Sequence, residues 1–365
     1  MTETHDFSFT LAGCESLTVY DARKKPFRIY GLYEPEQEGV FRRMPRQVAE
    51  SVSQRALFLH TNPAGGRLRF VTDSTTLAVG AIHAPTDFPS PRTAALCFAN
   101  SFFFDLYADG QHVHVLWHEG AVSDERSVHL EIPHGKYESV ARFSERKDRE
   151  ITLCFPSFVN VESVYIGLDA GATLGECAPY VNEGRPVVFY GSSITQGACA
   201  CRSGNLYENI LSRRLGFDFI NLGFAGGCKA EEAMIDYLCT LAPSILVFDY
   251  DHNARDAAFL KETHLPALRR LRQAHPDVPF LVLSKPNVHS GKEEAILRAR
   301  VIEESCRILA EEGSAPIHFI NGQEILEGHD AEMMTLDGTH PTDLGFYCMA
   351  DALQPILRRY LPKDR

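Results

Sequence analysis

At 365 residues the chain is longer than one ordinary core needs, and two domains are expected. A hydrophobic content of 44% beside a charged content of 23% is the balance of a soluble globular protein, and a net charge of −12 weighs against nucleic acid or an anionic membrane as partner. No run of eighteen apolar residues occurs, and the opening "MTETHDFSFTLAGCESL" has neither the basic nor the apolar region of an export signal, so a cytoplasmic protein with ten reduced cysteines is expected.

The first half, to about residue 183, has a period of two. "SLTVYDA", "FRIYGLY", "HVHVLWHEG" and "SVHLEIPHG" alternate apolar and polar residues between Gly, Pro, Asp and Asn clusters. Long amphipathic helices are hard to find there. Many short strands of this kind predict an antiparallel β-sandwich, jelly-roll-like, over residues 1–183. The single tryptophan, Trp117, shares a predicted strand face with Val113 and Val115, which reads as core rather than as a platform for a sugar ring.

"GLDAGATLGECAPYVNEGRP" (167–186) is rich in Gly and Pro and reads as a linker. Over 184–365 short apolar runs alternate with helical segments: "VVFYG", "DFINLG", "ILVFDY", "PFLVLS" and "PIHFIN" are each followed by a helix. Five such units predict a three-layer α/β domain with a five-stranded parallel sheet. Its polar loops fall in a telling place. "GSSITQG" follows the first strand, "GFAGG" the second, "DHNA" the third, and "DGTHP" ends the long segment after the fifth. In a parallel sheet these loops share the carboxyl edge, where open α/β folds bind ligands. With strand order 2-1-3-4-5, Ser193 would lie between Gly226 and Asn253, and the loop of about twenty residues before His340 would return it toward the first strand.

Those residue types meet the needs of acyl transfer. A serine hydroxyl needs a base, which His340 can be, and Asp337 can hold the other ring nitrogen. The N–H groups of Ser193 and Gly226 and the Asn253 amide can receive a developing oxyanion. Each also has a plainer reading: a helix cap for Ser193, a surface histidine with its capping partner for His340 and Asp337, a tight turn for Gly226, an Asx-turn for Asn253. Arg202 and Asn205, just past the serine loop, could hold substrate oxygens, or Arg202 could simply be solvated.

The four blocks together resemble the SGNH/GDSL hydrolase superfamily. Ser193 in "GSSIT" matches the GDSL block with Ser192 in place of Asp; Gly226 in "NLGFAGG", Asn253 in "DYDHNA", and Asp337 and His340 in "LDGTHP" match the others, in the expected order. The asparagine block departs from the common GxND form. "FFFDLYADG" resembles the DLY signature of a β-sandwich that precedes some SGNH esterases, with Phe103 where that pattern has Gly. The resemblance implies a serine esterase removing small, acetyl-like acyl groups from a carbohydrate or glycoside. Its catalytic residues would be Ser193, His340 and Asp337, with an oxyanion hole of Ser193, Gly226 and Asn253 and no cofactor or metal. An acyltransferase using the same triad and an inert glycan-binding protein are the alternatives.

Other chemistries fit less well. Thr195 stands where G-x-S-x-G needs its second Gly, Gln196-Gly197-Ala198 lacks the P-loop lysine, and "GFAGG" is not a dinucleotide fingerprint. Asp249, Asp251 and His252 lack further ligands at metal spacing. Cys199, Cys201 and Cys228 read as packing thiols. The sequence says nothing of oligomeric state.

Overall fold

A computed structural model describes residues 7–85, 97–118, 135–286, 292–313, 315–327 and 330–362. Its first part runs β1 (Thr18–Asp21), β2 (Arg28–Tyr30), α1 (Arg46–Val52), α2 (Gln54–Leu59), β3 (Arg67–Thr72), β4 (Thr76–Ala84), α3 (Phe98–Phe102), β5 (Phe104–Ala108), β6 (Gln111–Leu116), β7 (Gly135–Arg142), β8 (Arg149–Cys154), β9 (Asn160–Leu168) and β10 (Leu174–Gly175). These strands form two antiparallel sheets, β1-β9-β4-β7 and β10-β3-β8-β5-β6, with β2 also on β3. Every second residue faces a shared core: Leu68 and Phe70 of β3, Leu77, Val79 and Ala81 of β4, Ile151 and Leu153 of β8, Val164, Ile166 and Leu168 of β9. The antiparallel sandwich read from the period-two pattern is therefore present. "SVHLEIPHG" lies, but for its final Gly, outside the described residues.

Trp117 departs from expectation. It is 56% exposed, with its indole edge-on to His114, while Val113 and Val115 pack against the core. The reason is local: β6 ends at Leu116, and the Trp117 N–H donates to the Val115 carbonyl, a turn that breaks the alternation.

The second part runs β11 (Val187–Gly191), α4 (Ser193–Gln196), α5 (Tyr207–Leu215), β12 (Phe219–Gly223), α6 (Glu232–Thr240), β13 (Ile245–Asp249), α7 (Ala257–Ala274), β14 (Phe280–Leu283), α8 (Lys292–Glu311), β15 (Ile317–Ile320), α9 (Gly322–Ile325), α10 (Ala331–Met334) and α11 (Asp343–Tyr360). The sheet is parallel in the order β12-β11-β13-β14-β15, the expected 2-1-3-4-5. Strands β11, β13 and β14 are buried along their whole length, as continuous apolar runs covered on both faces should be. One face packs Val188, Tyr190, Leu246 and Phe248 against α6, α7 and α8; the other packs Phe189, Val247 and Leu281 against α5 and α11.

Contacts divide the chain into two units that are not contiguous in sequence. Met1–Arg43, Thr61–Pro179 and Arg202–Gly204 form one; Met44–His60, Tyr180–Cys201 and Asn205–Arg365 form the other. Helices α1 and α2 thus belong with the parallel sheet: Ala49, Ala56 and Leu59 join Leu222, Met234 and Ile235 in its core.

Candidate active site

Strand β11 delivers the chain to the carboxyl edge at Gly191. There the Ser192 N–H donates to the Asp249 carbonyl at 3.1 Å and the Phe224 N–H to the Gly191 carbonyl at 2.9 Å, tying the turn to both neighbouring strands. Ser192 is the N-cap of α4. It is buried, and its hydroxyl accepts from the Ile194 N–H at 3.2 Å. Ser193 is the first residue of α4 and is only partly buried. Its Oγ lies 2.8 Å from Nε2 of His340.

His340 closes a tight turn. The Leu336 N–H donates to the His340 carbonyl at 2.9 Å, and Thr335 pairs with Pro341 in an antiparallel bridge. Pro341 lies just before Thr342, the N-cap of the last helix. Asp337 Oδ1 accepts the His340 N–H at 2.8 Å and the Thr339 N–H at 3.0 Å, while Oδ2 lies 2.8 Å from His340 Nδ1. Burial alone would raise the Asp337 carboxyl. The backbone and ring hydrogen bonds from His340, with that from Thr339, outweigh it and hold the carboxyl below its ordinary value. An ionised carboxylate accepts from a protonated Nδ1, and that tautomer would leave Nε2 as an acceptor facing Ser193.

The turn after β12 carries Gly226, exposed and at φ +72°, a left-handed conformation that favours glycine. Asn253 ends a short 3-10 turn, Asp251–Asn253, after β13. Its Oδ1 accepts the Cys228 N–H at 3.1 Å, which links the two loops and turns the amide nitrogen the other way. Among the described residues, the Ser193 N–H, the Gly226 N–H and Asn253 Nδ2 have no protein acceptor. Three adjacent strands thus each bring an unused donor to one edge.

Arg202 and Asn205, read from the sequence as candidates to hold substrate oxygens, both have protein partners. Arg202 Nη1 pairs with Asp105 Oδ2 at 2.9 Å and donates to the Tyr107 hydroxyl at 2.6 Å; Asn205 Nδ2 donates to Asp343 at 2.7 Å. Asp105 and Tyr107 are the polar members of the DLY signature, and Leu106 between them is core. Phe103, where the signature has Gly, is extended at φ −111° and buried, so no glycine is needed there. Asp251 is taken up by the Lys285 N–H at 2.7 Å and by Arg298. Cys199 and Cys228 are buried, whereas Cys201 is exposed.

Asp249, weighed in the sequence only as a metal ligand, is wholly buried beneath the turn, 3.3 Å from the Thr195 hydroxyl. Arg55 of α2 escaped the sequence reading: it donates through Nε to the Ala225 carbonyl at 2.7 Å, and nothing in the linear pattern marks it.

A model of the GDSL-like lipase/acylhydrolase family matches residues 184–358, and one of the N-terminus of SGNH-hydrolase-type esterases matches 17–174. The chain thus carries a GDSL-like lipase/acylhydrolase domain, preceded by the N-terminal segment of SGNH-hydrolase-type esterases. Its likeness to solved structures extends over both parts. A Bacteroides ovatus protein described as a GDSL-like lipase is 27% identical, with a TM-score of 0.79 over 94% of this chain and 98% of that one. A salicylyl-acyltransferase from a tetracycline biosynthetic pathway is 17% identical, with a TM-score of 0.72 over 94% and 97%. An acetyl xylan esterase from the rumen bacterium Butyrivibrio proteoclasticus is 11% identical, with a TM-score of 0.58 over 94% and 98%. The last two show the shared fold. A search of curated proteins gave no match.

Proposed function

We propose that this protein is a serine carboxylic-ester hydrolase that removes small, acetyl-like acyl groups from a carbohydrate or glycoside. The observation that carries this reading is the hydrogen-bonded chain from Ser193 through His340 to Asp337, 2.8 Å at each step. Ser193 Oγ attacks the ester carbonyl carbon and passes its proton to His340 Nε2, while the carbonyl electron pair moves onto oxygen. The N–H groups of Ser193 and Gly226 and the Asn253 amide stabilise that oxyanion. Its collapse expels the alcohol, which takes the proton from His340 and leaves an acyl-Ser193. Water, deprotonated by His340, attacks the acyl group and releases the acid. Asp337 holds the imidazole in the required tautomer throughout.

The carbohydrate side of the proposal draws support from the acetyl xylan esterase and the carbohydrate esterases of family two among the structures of like fold. The test is a fluorophosphonate probe followed by peptide mapping, alongside turnover of acetylated sugars. A single adduct on Ser193 with loss of ester turnover is expected. A label on Ser192, or ester turnover that survives Ser193→Ala, would overturn the assignment. Binding of glycans with no ester turnover would make the protein an inert binder.

A further inference from the structure

Arg55 lies on α2, in the same unit as the parallel sheet and far in sequence from every motif block. Its side chain runs along the glycine turn. A Cβ on Gly227 would stand 2.7 Å from Arg55 Cγ, and one on Gly226 would stand 4.0 Å from Arg55 Nε. Nε is spent on the Ala225 carbonyl, and the guanidinium lies 6.0 Å from the Phe58 ring. Among the described residues no carboxylate pairs with it. That sets it apart from Arg202 with Asp105, Arg298 with Asp251 and Glu294, and Arg269 with Glu312. Burial, with no opposing acid, holds its pKa below the ordinary arginine value.

A half-buried cation without a counter-ion carries a desolvation cost that a ligand can repay. With Nε occupied, the two terminal amino groups still offer four N–H donors in a planar fork, the geometry that grips a carboxylate. The fork's Nε stands 4.0 Å from the place of a Gly226 Cβ, and in the mechanism above the Gly226 N–H stabilises the oxyanion. The remainder of the protein is acidic, with a net charge of −12, so an anionic substrate needs a local cation to bind.

We propose that Arg55 recognises a carboxylate on the substrate, so that the esters turned over are acidic ones. The proposal rests on Ser193 being the nucleophile of this site. The carboxylate can lie on the acyl side, as in a dicarboxylic half-ester, or on the alcohol side, as in an acetylated uronic acid.

The test compares kcat/KM within two matched pairs: 4-nitrophenyl hemisuccinate against 4-nitrophenyl butyrate, and acetylated glucuronate against glucose acetylated at the same hydroxyl. The wild type should favour the acidic member of one pair by about tenfold or more, as a charged hydrogen bond implies. Which pair shows the preference identifies the side that carries the charge. In Arg55→Met, which keeps the apolar stem, that ratio should collapse toward one; Arg55→Lys should restore part of it. No acid preference in either wild-type pair, or a preference untouched in both variants, overturns the proposal. Calorimetry separates it from the nucleophile assignment: Ser193→Ala should bind succinate or glucuronate, and the double variant with Arg55→Met should not. If esters are not turned over while this Arg55-dependent binding is present, the nucleophile reading fails and the carboxylate site stands. If the binding is absent, the carboxylate site falls.

Discussion

Ser192 and Ser193 are chemically identical neighbours, and their surroundings give them different tasks. The Ser192 hydroxyl is turned inward to cap α4, whereas the Ser193 hydroxyl meets an imidazole. Asn253 shows the same sorting within one side chain. Its oxygen is committed to the Cys228 N–H, so only its amide nitrogen is left to act as a donor. If that nitrogen serves the oxyanion, Asn253→Ala should lower kcat by about 10²–10³ with little change in KM, because the interaction strengthens only as charge develops. A folded variant with near-normal kcat would assign the role to another donor. Arg55 makes the opposite point. No motif flagged it, and its partner Ala225 is 170 residues away.

At the level of elements, the Ser192–Ser193 turn is seated on the end of β13, where Asp249 is sealed from solvent. Burial, helped by the nearby Asp251 charge and opposed by the Thr195 hydroxyl, pushes the Asp249 carboxyl up to about 7 from an ordinary 3.8. Between those two values the folded protein keeps a proton that the unfolded chain has lost. The contribution of Asp249 to stability is therefore full below about 3.8, declines as pH rises to about 7, and is level beyond. Asp249→Asn cannot ionise. Its melting temperature relative to the wild type should climb across that window, as followed by thermal unfolding at a series of pH values. A constant difference across the window would mean that Asp249 does not titrate there. The elements themselves were largely readable in advance. Apolar runs such as "VVFYG" and "ILVFDY" encode strands buried on both faces, and that pattern is local. The end of β6 was not readable, because a single turn at Leu116 put Trp117 into solvent against its period-two pattern.

For the molecule as a whole, the proposed mechanism leaves one choice, which nucleophile attacks acyl-Ser193. Hydrolysis and acyl transfer share every residue of the site, and a salicylyl-acyltransferase shares the fold. At a net charge of −12, a phosphorylated or acidic acyl carrier is a poor electrostatic match. Water is therefore expected to win. With an acetylated glycoside as donor and millimolar sugars and alcohols as acceptors, free acetate should be the main product by chromatography. A majority of transfer product would make the protein an acyltransferase.

What the sequence determined by itself was whatever depends on near neighbours. The change from a period of two to strand–helix alternation predicts two kinds of architecture. The parallel order then sends four motif loops to one sheet edge, since every strand of a parallel sheet ends on the same side. What only the tertiary structure decided were contacts between distant segments. Ser193 and His340 are 147 residues apart, and only a folded return of the chain after β15 brings them within a hydrogen bond. Arg202 is paired with Asp105, 97 residues earlier, a contact that the linear pattern does not announce. Residues 44–60, placed by the linear pattern in the sandwich half, instead pack α1 and α2 onto the parallel sheet and bring Arg55 with them. The reason is physical: periodicity reports which face of an element is apolar, but the partner that covers that face is chosen by packing across the whole chain.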